Sequence, residues 1–145
     1  MRTISWILLV VAGLLIVLGS SASAGLAYFG SPSNDIITGS SSLADLSLGD
    51  DVATALRARR GTAASFGLGF ATFFLFVVLG PYRKGAVWAW WAILCSTALL
   101  AAAIVLRVPT LGTSQGVATG VILLLVVIVA LLLDVRRLRG GAAGA

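Results

Sequence analysis

The sequence predicts an all-α protein built as a bundle of four transmembrane helices. Hydrophobic residues make up 59% of the 145 residues and charged residues only 10%. A soluble domain carries about 25% charged residues, so this chain lacks the polar surface that water requires. In addition, four apolar stretches without proline or charge approach the length of about 20 residues that a bilayer crossing needs. Since lipid offers the backbone no hydrogen bonds, each stretch is expected to be a helix.

The four predicted spans are residues 4–29, 62–80, 86–106 and 116–133, within a single membrane domain that covers residues 1–145. The first span has an alternative interpretation. Met1 and Arg2, the apolar run that follows and the small residues Ala22-Ser23-Ala24 are also typical of a cleavable signal peptide of about 24 residues. Apolar character resumes after this point and continues to Phe29, which favours a retained helix. Removal of the leader stays open as the alternative.

The orientation of the spans is predicted from the cations that flank them, because Lys and Arg accumulate on the cytoplasmic side. The side of the membrane with more cations holds Arg2, Arg83, Lys84, Arg136, Arg137 and Arg139. The side with fewer cations holds Arg57, Arg59, Arg60 and Arg107. The loop 30–61, rich in Ser and Asp, then lies outside, and the tail 134–145 lies inside. We therefore expect a multi-pass protein of the cell (inner or plasma) membrane with both termini in the cytoplasm.

The second half of the outer loop, "LADLSLGDDVATALRARR", predicts a short amphipathic helix on the outer membrane surface. Asp50 and Asp51 suit the positive start of a helix, and the arginines suit its negative end. An apolar stripe with a period of four residues runs beneath the charges and consists of Leu48, Val52 and Leu56.

The stretch "PYRKGAVWAWW", residues 81–91, combines a turn with cations and tryptophans. We interpret it as a short turn from Pro81 to Gly85 followed by side chains that hold the helix at the depth of the lipid headgroups. The predicted interfacial anchors are Trp6, Tyr82, Arg83, Lys84, Trp88, Trp90 and Trp91. An aromatic cage for a cationic ligand is the alternative. Helical phase disfavours a three-ring cage, because Trp88 and Trp91 share a face and Trp90 points away from it.

Small residues recur at intervals of about four in the predicted spans, a pattern that lets helix backbones approach closely in lipid. The predicted helix-packing residues are Gly19, Ser23, Gly61, Ser65, Gly69, Gly116 and Gly120. The pattern does not say whether these faces meet one another within the chain or meet a membrane-protein partner or a second copy. Both outcomes stay open.

The sequence contains little polar chemistry. There is no His, all five carboxylates are Asp, and all five lie outside the predicted spans. A nucleophile in the membrane would need a base to activate it, and no metal-ligand spacing or phosphate-binding loop is present. We therefore predict no catalytic, cofactor or metal residues. Six polar residues inside the spans are expected to bond their own helix, namely Ser65, Thr72, Cys95, Ser96, Thr97 and Thr119.

The segment "RKGAVWAW", Arg83 to Trp90, resembles a linker of the form R-[KR]-G-x-x-W-A-W in small bacterial integral membrane proteins with four helices and unknown function. The strong excess of Arg over Lys and the abundance of Ala and Gly also indicate a bacterial gene of high GC content. The resemblance implies a fold and a membrane location, and it implies no activity.

These observations predict a non-catalytic integral membrane protein that acts as an accessory or scaffold subunit. The alternative is a small permease or a membrane protein that binds lipid or another apolar ligand. The expected partners are membrane lipids, together with a membrane protein or a second copy of the chain. Nucleic acid is not expected despite the net charge of +5, because the cations flank apolar runs instead of lining one face.

Overall fold

The structure, a computed structural model, describes residues 2–30, 36–38, 41–42, 49–111 and 117–135. Its helices are α1 (Arg2–Phe29), α2 (Asp50–Val77), α3 (Val87–Leu111) and α4 (Val117–Leu133), and a π-helical segment, Val78–Tyr82, extends α2. Two short strands, β1 (Ile36–Thr38) and β2 (Ser41–Ser42), pair antiparallel between α1 and α2. The prediction of an all-α protein with four helices is confirmed.

In the described part of the chain, three helices are long and apolar enough to cross a membrane, namely Thr3–Phe29, Asp50–Tyr82 and Val87–Thr110. Helix α4 is also apolar but has only 17 residues. Many large apolar side chains on these helices are exposed, such as Phe66 and Leu99, which are 76% and 75% exposed. A water-soluble protein rarely exposes so continuous an apolar surface, so the helices fit a membrane protein.

Helix α2 differs from the expectation of a separate amphipathic helix ahead of the second span. It begins at Asp50 and continues through Gly61 without a break. The residues expected to lie on the membrane surface are therefore its first turns. The physical reason is that no proline interrupts this stretch, and one glycine inside a helix costs only about 1 kcal/mol. Val52 and Leu56 of the expected apolar stripe are exposed, and Leu48 lies outside the described residues.

The chain divides into two compact units: unit 1 comprises Met1–Leu14 and Phe73–Ala145, and unit 2 comprises Leu15–Thr72. Within unit 1, α3 and α4 pack antiparallel. The start of α3 meets the end of α4, where Trp90 bonds Leu131. At the other end of the pair, a Cβ on Gly120 would lie only 2.6 Å from Cδ1 of Ile104. The glycine therefore permits the close approach of the two helices.

Within unit 2, α1 and α2 also run antiparallel with small residues between them. Tyr28 of α1 covers Gly61 of α2 so closely that a Cβ there would lie 2.7 Å from its ring carbon Cζ. Six residues further along α2, a Cβ on Gly67 would lie 2.6 Å from Oγ of Ser20. Within unit 2, α1 and α2 thus pack closely at two glycines of α2, Gly61 and Gly67.

The connection between the π-helical segment and α3 depends on Gly85. Its φ of 99° lies in the region that side chains with a Cβ rarely adopt. The N–H of Gly85 donates to the carbonyl of Tyr82, and the N–H of Ala86 donates to that of Pro81. This pair of bonds is a Schellman motif, which closes a helix end. The expected turn from Pro81 to Gly85 is therefore shorter than predicted, because Pro81 itself lies inside the π-helical segment.

Candidate functional site

The last turn of α4 is bonded by side chains from two other helices of unit 1. A helix end leaves its final four carbonyls without intrahelical partners. The Ser5 hydroxyl donates to the carbonyl of Ala130 at 2.7 Å, and the Trp90 indole Nε1–H donates to the carbonyl of Leu131 at 3.1 Å. Residues of α1 and α3 thus bond two carbonyls at the end of α4, and the carbonyl of Leu131 also accepts a bond from the N–H of Asp134.

Tyr82 adds a second bond to the same serine. Its hydroxyl oxygen lies 2.7 Å from that of Ser5. A serine hydroxyl can donate only one hydrogen bond, because it carries a single proton. Ser5 makes that donation to the carbonyl of Ala130, so in the second bond the Tyr82 hydroxyl is the donor and Ser5 the acceptor. Both side chains are fully buried. We call these groups the Ser5 cluster: Ser5, Tyr82, Trp90 and the carbonyls of Ala130 and Leu131.

The predicted interfacial anchors divide into inward and outward side chains. Tyr82 and Trp90 are buried in unit 1, with Trp90 only 6% exposed, so they belong to the Ser5 cluster and not to an outer belt. Trp88 and Trp91 are 58% and 50% exposed. This division follows the predicted helical phase, in which Trp90 points away from the other two rings. The rings of Trp90 and Trp91 meet edge to face with centroids 5.0 Å apart.

The remaining anchors lie beside the cluster. The guanidinium carbon of Arg83 is 5.0 Å from the centroid of the Trp6 ring, a cation–π geometry. Trp6 is half-buried, whereas Arg83 and Lys84 are exposed. Asp134, one residue beyond α4, is buried. The Arg83–Trp6 contact thus joins the residues that directly follow Tyr82 and Ser5 of the cluster.

The hydrogen bonds of the Ser5 cluster hold helices of unit 1 in position. Ser5 bonds a phenol and a backbone carbonyl, which are neutral groups that do not remove its proton. Among the described residues, no group of three or more His, Cys, Asp or Glu side chains is placed to hold a metal ion. The arrangement joins α1, the π-helical segment, α3 and α4 through directional bonds.

Four of the six polar residues that were expected to bond their own helix do so. The Ser65 hydroxyl donates to the carbonyl of Gly61 and the Thr72 hydroxyl to that of Leu68. In α3, Ser96 and Thr97 both donate to the carbonyl of Ile93. The thiol of Cys95 is free and exposed. These bonds hide polar atoms from the surrounding apolar surface.

The predicted helix-packing residues are placed differently from one another. Gly61 and Gly120 are covered by Tyr28 and Ile104. Ser23 accepts a hydrogen bond from Nε of Arg60 at 3.3 Å. By contrast, no atom of the described residues lies within 4 Å of a Cβ built on Gly19 or Gly69. Ser65 is exposed, and Gly116 lies outside the described residues.

Sequence reasoning missed two packed glycines. A Cβ on Gly13 would lie 2.5 Å from Cδ2 of Leu75, and Gly67 contacts Ser20. Gly67 could have been found, because Ala63, Gly67 and Ala71 follow one another at intervals of four. Gly13 belongs to no such series. Its close packing comes from Leu75 of α2, and no sequence pattern indicates that this residue would contact it.

The arginines near the start of α2 were predicted only as helix-end and topology charges. In unit 2, Arg57 donates to the carbonyl of Gly30, the residue that follows α1. Arg60 bonds Ser23 one to two turns earlier in α1. The carbonyl end of a helix carries partial negative charge, so these cations stabilise the end of α1. Arg59 is exposed.

No family model matches this chain, and no curated protein or solved structure matches it either. The class of protein that the apolar helices fit is a helical membrane protein. The resemblance of Arg83–Trp90 to small bacterial membrane proteins stays a prediction.

Proposed function

We propose that this chain is a multi-pass integral protein of the cell membrane that acts as a non-catalytic accessory or scaffold subunit. The observation that carries the proposal is the difference between its packed and open glycines. Gly61 and Gly120 are covered by side chains of the same chain, whereas Gly19 and Gly69 face open space. An open glycine on a membrane helix lets the backbone of a partner helix approach closely.

The face of α2 around Gly69 has the properties that helix association in lipid requires. Ser65 precedes Gly69 by four residues and is exposed on the same side of the helix. Its hydroxyl is occupied by the carbonyl of Gly61, so the face offers small groups and little polarity. Phe66 borders it and is largely exposed. A groove of small residues beside an aromatic ring supports close packing with another helix.

The test is cross-linking in native membranes. The single natural cysteine, Cys95, is first replaced by Ser, and Thr72→Cys then places a thiol on the exposed face that carries Gly69. A short membrane-permeable bifunctional thiol reagent is expected to join the chain to one defined partner, either a second copy or another membrane protein, whose mass identifies it. Gly69→Leu should greatly lower the yield of the joined species because the added side chain fills the groove.

Ala63→Leu is the matched control. Ala63 is also an exposed small residue of α2, but it lies about 120° around the helix from Gly69. We expect this variant to keep the cross-linked yield. An equal yield from Gly69→Leu and the parent chain would contradict association through this face. A monomer that cross-links to nothing would instead favour the permease or lipid-binding alternative.

The proposed orientation places both termini in the cytoplasm and the segment between α1 and α2 outside. The exposed Arg83 and Lys84 beside the short turn support this, because cytoplasmic turns are enriched in cations. In the Cys95→Ser background, Lys84→Cys should react with an impermeant thiol reagent only after the cells are opened. Arg59→Cys should react in intact spheroplasts. The reverse pattern would invert the topology.

A further inference from the structure

Three arginines of α2, which we call the arginine turn (Arg57, Arg59 and Arg60), directly precede an uncharged stretch. That stretch runs from Gly61 to Tyr82, which is about 33 Å long at about 1.5 Å per residue if it were an ideal α-helix. The hydrocarbon core of a bilayer is about 30 Å thick. A membrane that covers the uncharged stretch therefore places the arginine turn among the lipid headgroups of one leaflet.

Contacts within unit 2 hold two of these guanidinium groups in place. Arg57 donates to the carbonyl of Gly30, and Nε of Arg60 donates to Oγ of Ser23. Arg59 follows Arg57 by about 200° around the helix and is exposed. The positive charges thus cover both the α1 side and the outward side of the same turn of α2, and their side chains are partly ordered before any ligand binds.

Little negative charge balances the arginine turn within the described part of unit 2. Its described carboxylates are Asp50 and Asp51, and Asp51 precedes Arg57 by about 9 Å along the helix axis. That distance is close to the screening length of about 8 Å at physiological salt. Among the described residues, no carboxylate forms an ion pair with Arg57 or Arg59. Arg57 and Arg59 therefore present positive charge that no described carboxylate pairs.

We propose that the arginine turn binds the phosphate of an anionic phospholipid. The planar guanidinium presents N–H groups that match phosphate oxygens in pairs. A lipid fits better than a soluble anion because exposed apolar side chains flank the turn: Phe29 is 91% exposed and Phe66 is 76% exposed. These rings lie where acyl chains and the glycerol region would contact them. The proposal rests on the proposed membrane insertion but not on a protein partner.

The experiment measures lipid preference next to the arginine turn. The full chain with Cys95→Ser and Thr62→Cys carries a small fluorophore on the introduced thiol, three residues after Arg59. It is reconstituted in phosphatidylcholine vesicles that contain either brominated phosphatidylglycerol or brominated phosphatidylcholine. We expect stronger quenching by the brominated anionic lipid. Arg59→Gln should lower this preference about fivefold, the contribution of one cation at a membrane surface.

Arg59→Gln is the informative variant because Arg59 makes no described contact with α1, and the triple Gln variant of the turn should abolish the preference. Lys84→Gln, at the other end of the uncharged stretch, is the control and should leave it unchanged. An unchanged preference in Arg59→Gln, or an equal loss in Lys84→Gln, would overturn the proposal. So would loss of the preference on adding millimolar glycerol phosphate, which would assign the site to a soluble anion. Absence of quenching by either lipid would overturn membrane insertion itself.

Discussion

The hydroxyl of Tyr82 donates to the hydroxyl of Ser5 at 2.7 Å, although 77 residues separate them along the chain. The Ser5 hydroxyl in turn donates a hydrogen bond to the carbonyl of Ala130. One small side chain of α1 therefore connects the π-helical segment to α4. A serine at this position does what an apolar residue of the same size cannot do, because both bonds depend on its oxygen.

Ser5→Ala is expected to lower the free energy of unfolding by about 1–2 kcal/mol, because it removes two buried hydrogen bonds, one with the Tyr82 hydroxyl and one to the carbonyl of Ala130. Tyr82→Phe removes only one of the two bonds and should cost less. A double-mutant cycle measured by thermal unfolding in mild detergent should show coupling between the two positions. Strictly additive effects would mean that the bond contributes nothing to stability.

Gly13→Ala is expected to destabilise unit 1 by about 1–2 kcal/mol, since overpacking outweighs the gain in helix propensity. The new Cβ would lie 2.5 Å from Cδ2 and 2.9 Å from Cγ of Leu75, with Phe74 also 3.2 Å away. Rotation of one methyl group cannot relieve all three contacts. Gly19→Ala on the same helix is the matched control, because its Cβ would meet nothing within 4 Å. Equal melting temperatures for the two variants would contradict the close packing at Gly13.

Gly85→Ala is expected to lower stability by about 1–2 kcal/mol, because alanine in the left-handed region brings its Cβ too close to a backbone carbonyl. The φ of 99° is the only positive value among the described glycines. Gly80→Ala, in open space within the π-helical segment, should be tolerated. The measurement is again thermal unfolding in detergent. A greater loss at Gly80 than at Gly85 would show that the Schellman motif does not determine this turn.

Trp90→Phe is expected to destabilise the α3–α4 pair by about 1–3 kcal/mol, because it leaves a cavity and removes the indole's hydrogen bond to the carbonyl of Leu131. Trp91→Phe changes a half-exposed ring with no described hydrogen bond and should cost much less. Chemical unfolding followed by circular dichroism distinguishes the two. If both substitutions had the same effect, the bond and the packing of Trp90 would contribute no more to stability than the half-exposed ring of Trp91.

The sequence was sufficient for the helical fold because the hydrophobic pattern alone decides where helices form in lipid. Helical phase also separated Trp90 from Trp88 and Trp91 without any structure. The residue at which α2 begins could not be predicted from the hydrophobic pattern or from helical phase. A change from charged to apolar composition at Gly61 looks like a boundary, but composition changes without interrupting backbone hydrogen bonds.

The Ser5 cluster was not predictable for a different reason. Tyr82 and Ser5 are ordinary residues near the ends of apolar stretches, and their pairing depends on the depth at which two distant segments meet. The same holds for Gly61 and Gly69, which are equal members of one sequence pattern. Only the placement of Tyr28 makes the first a covered residue and leaves the second open.

The bond between Ser5 and Ala130 has a consequence for the order in which the protein is made. Ser5 is synthesised 125 residues before Ala130, the residue whose carbonyl it bonds. Tyr82 is translated between the two. Assembly of this end of unit 1 therefore cannot be completed before α4 is translated, and nascent chains arrested before α4 lack the bond from Ser5 to Ala130.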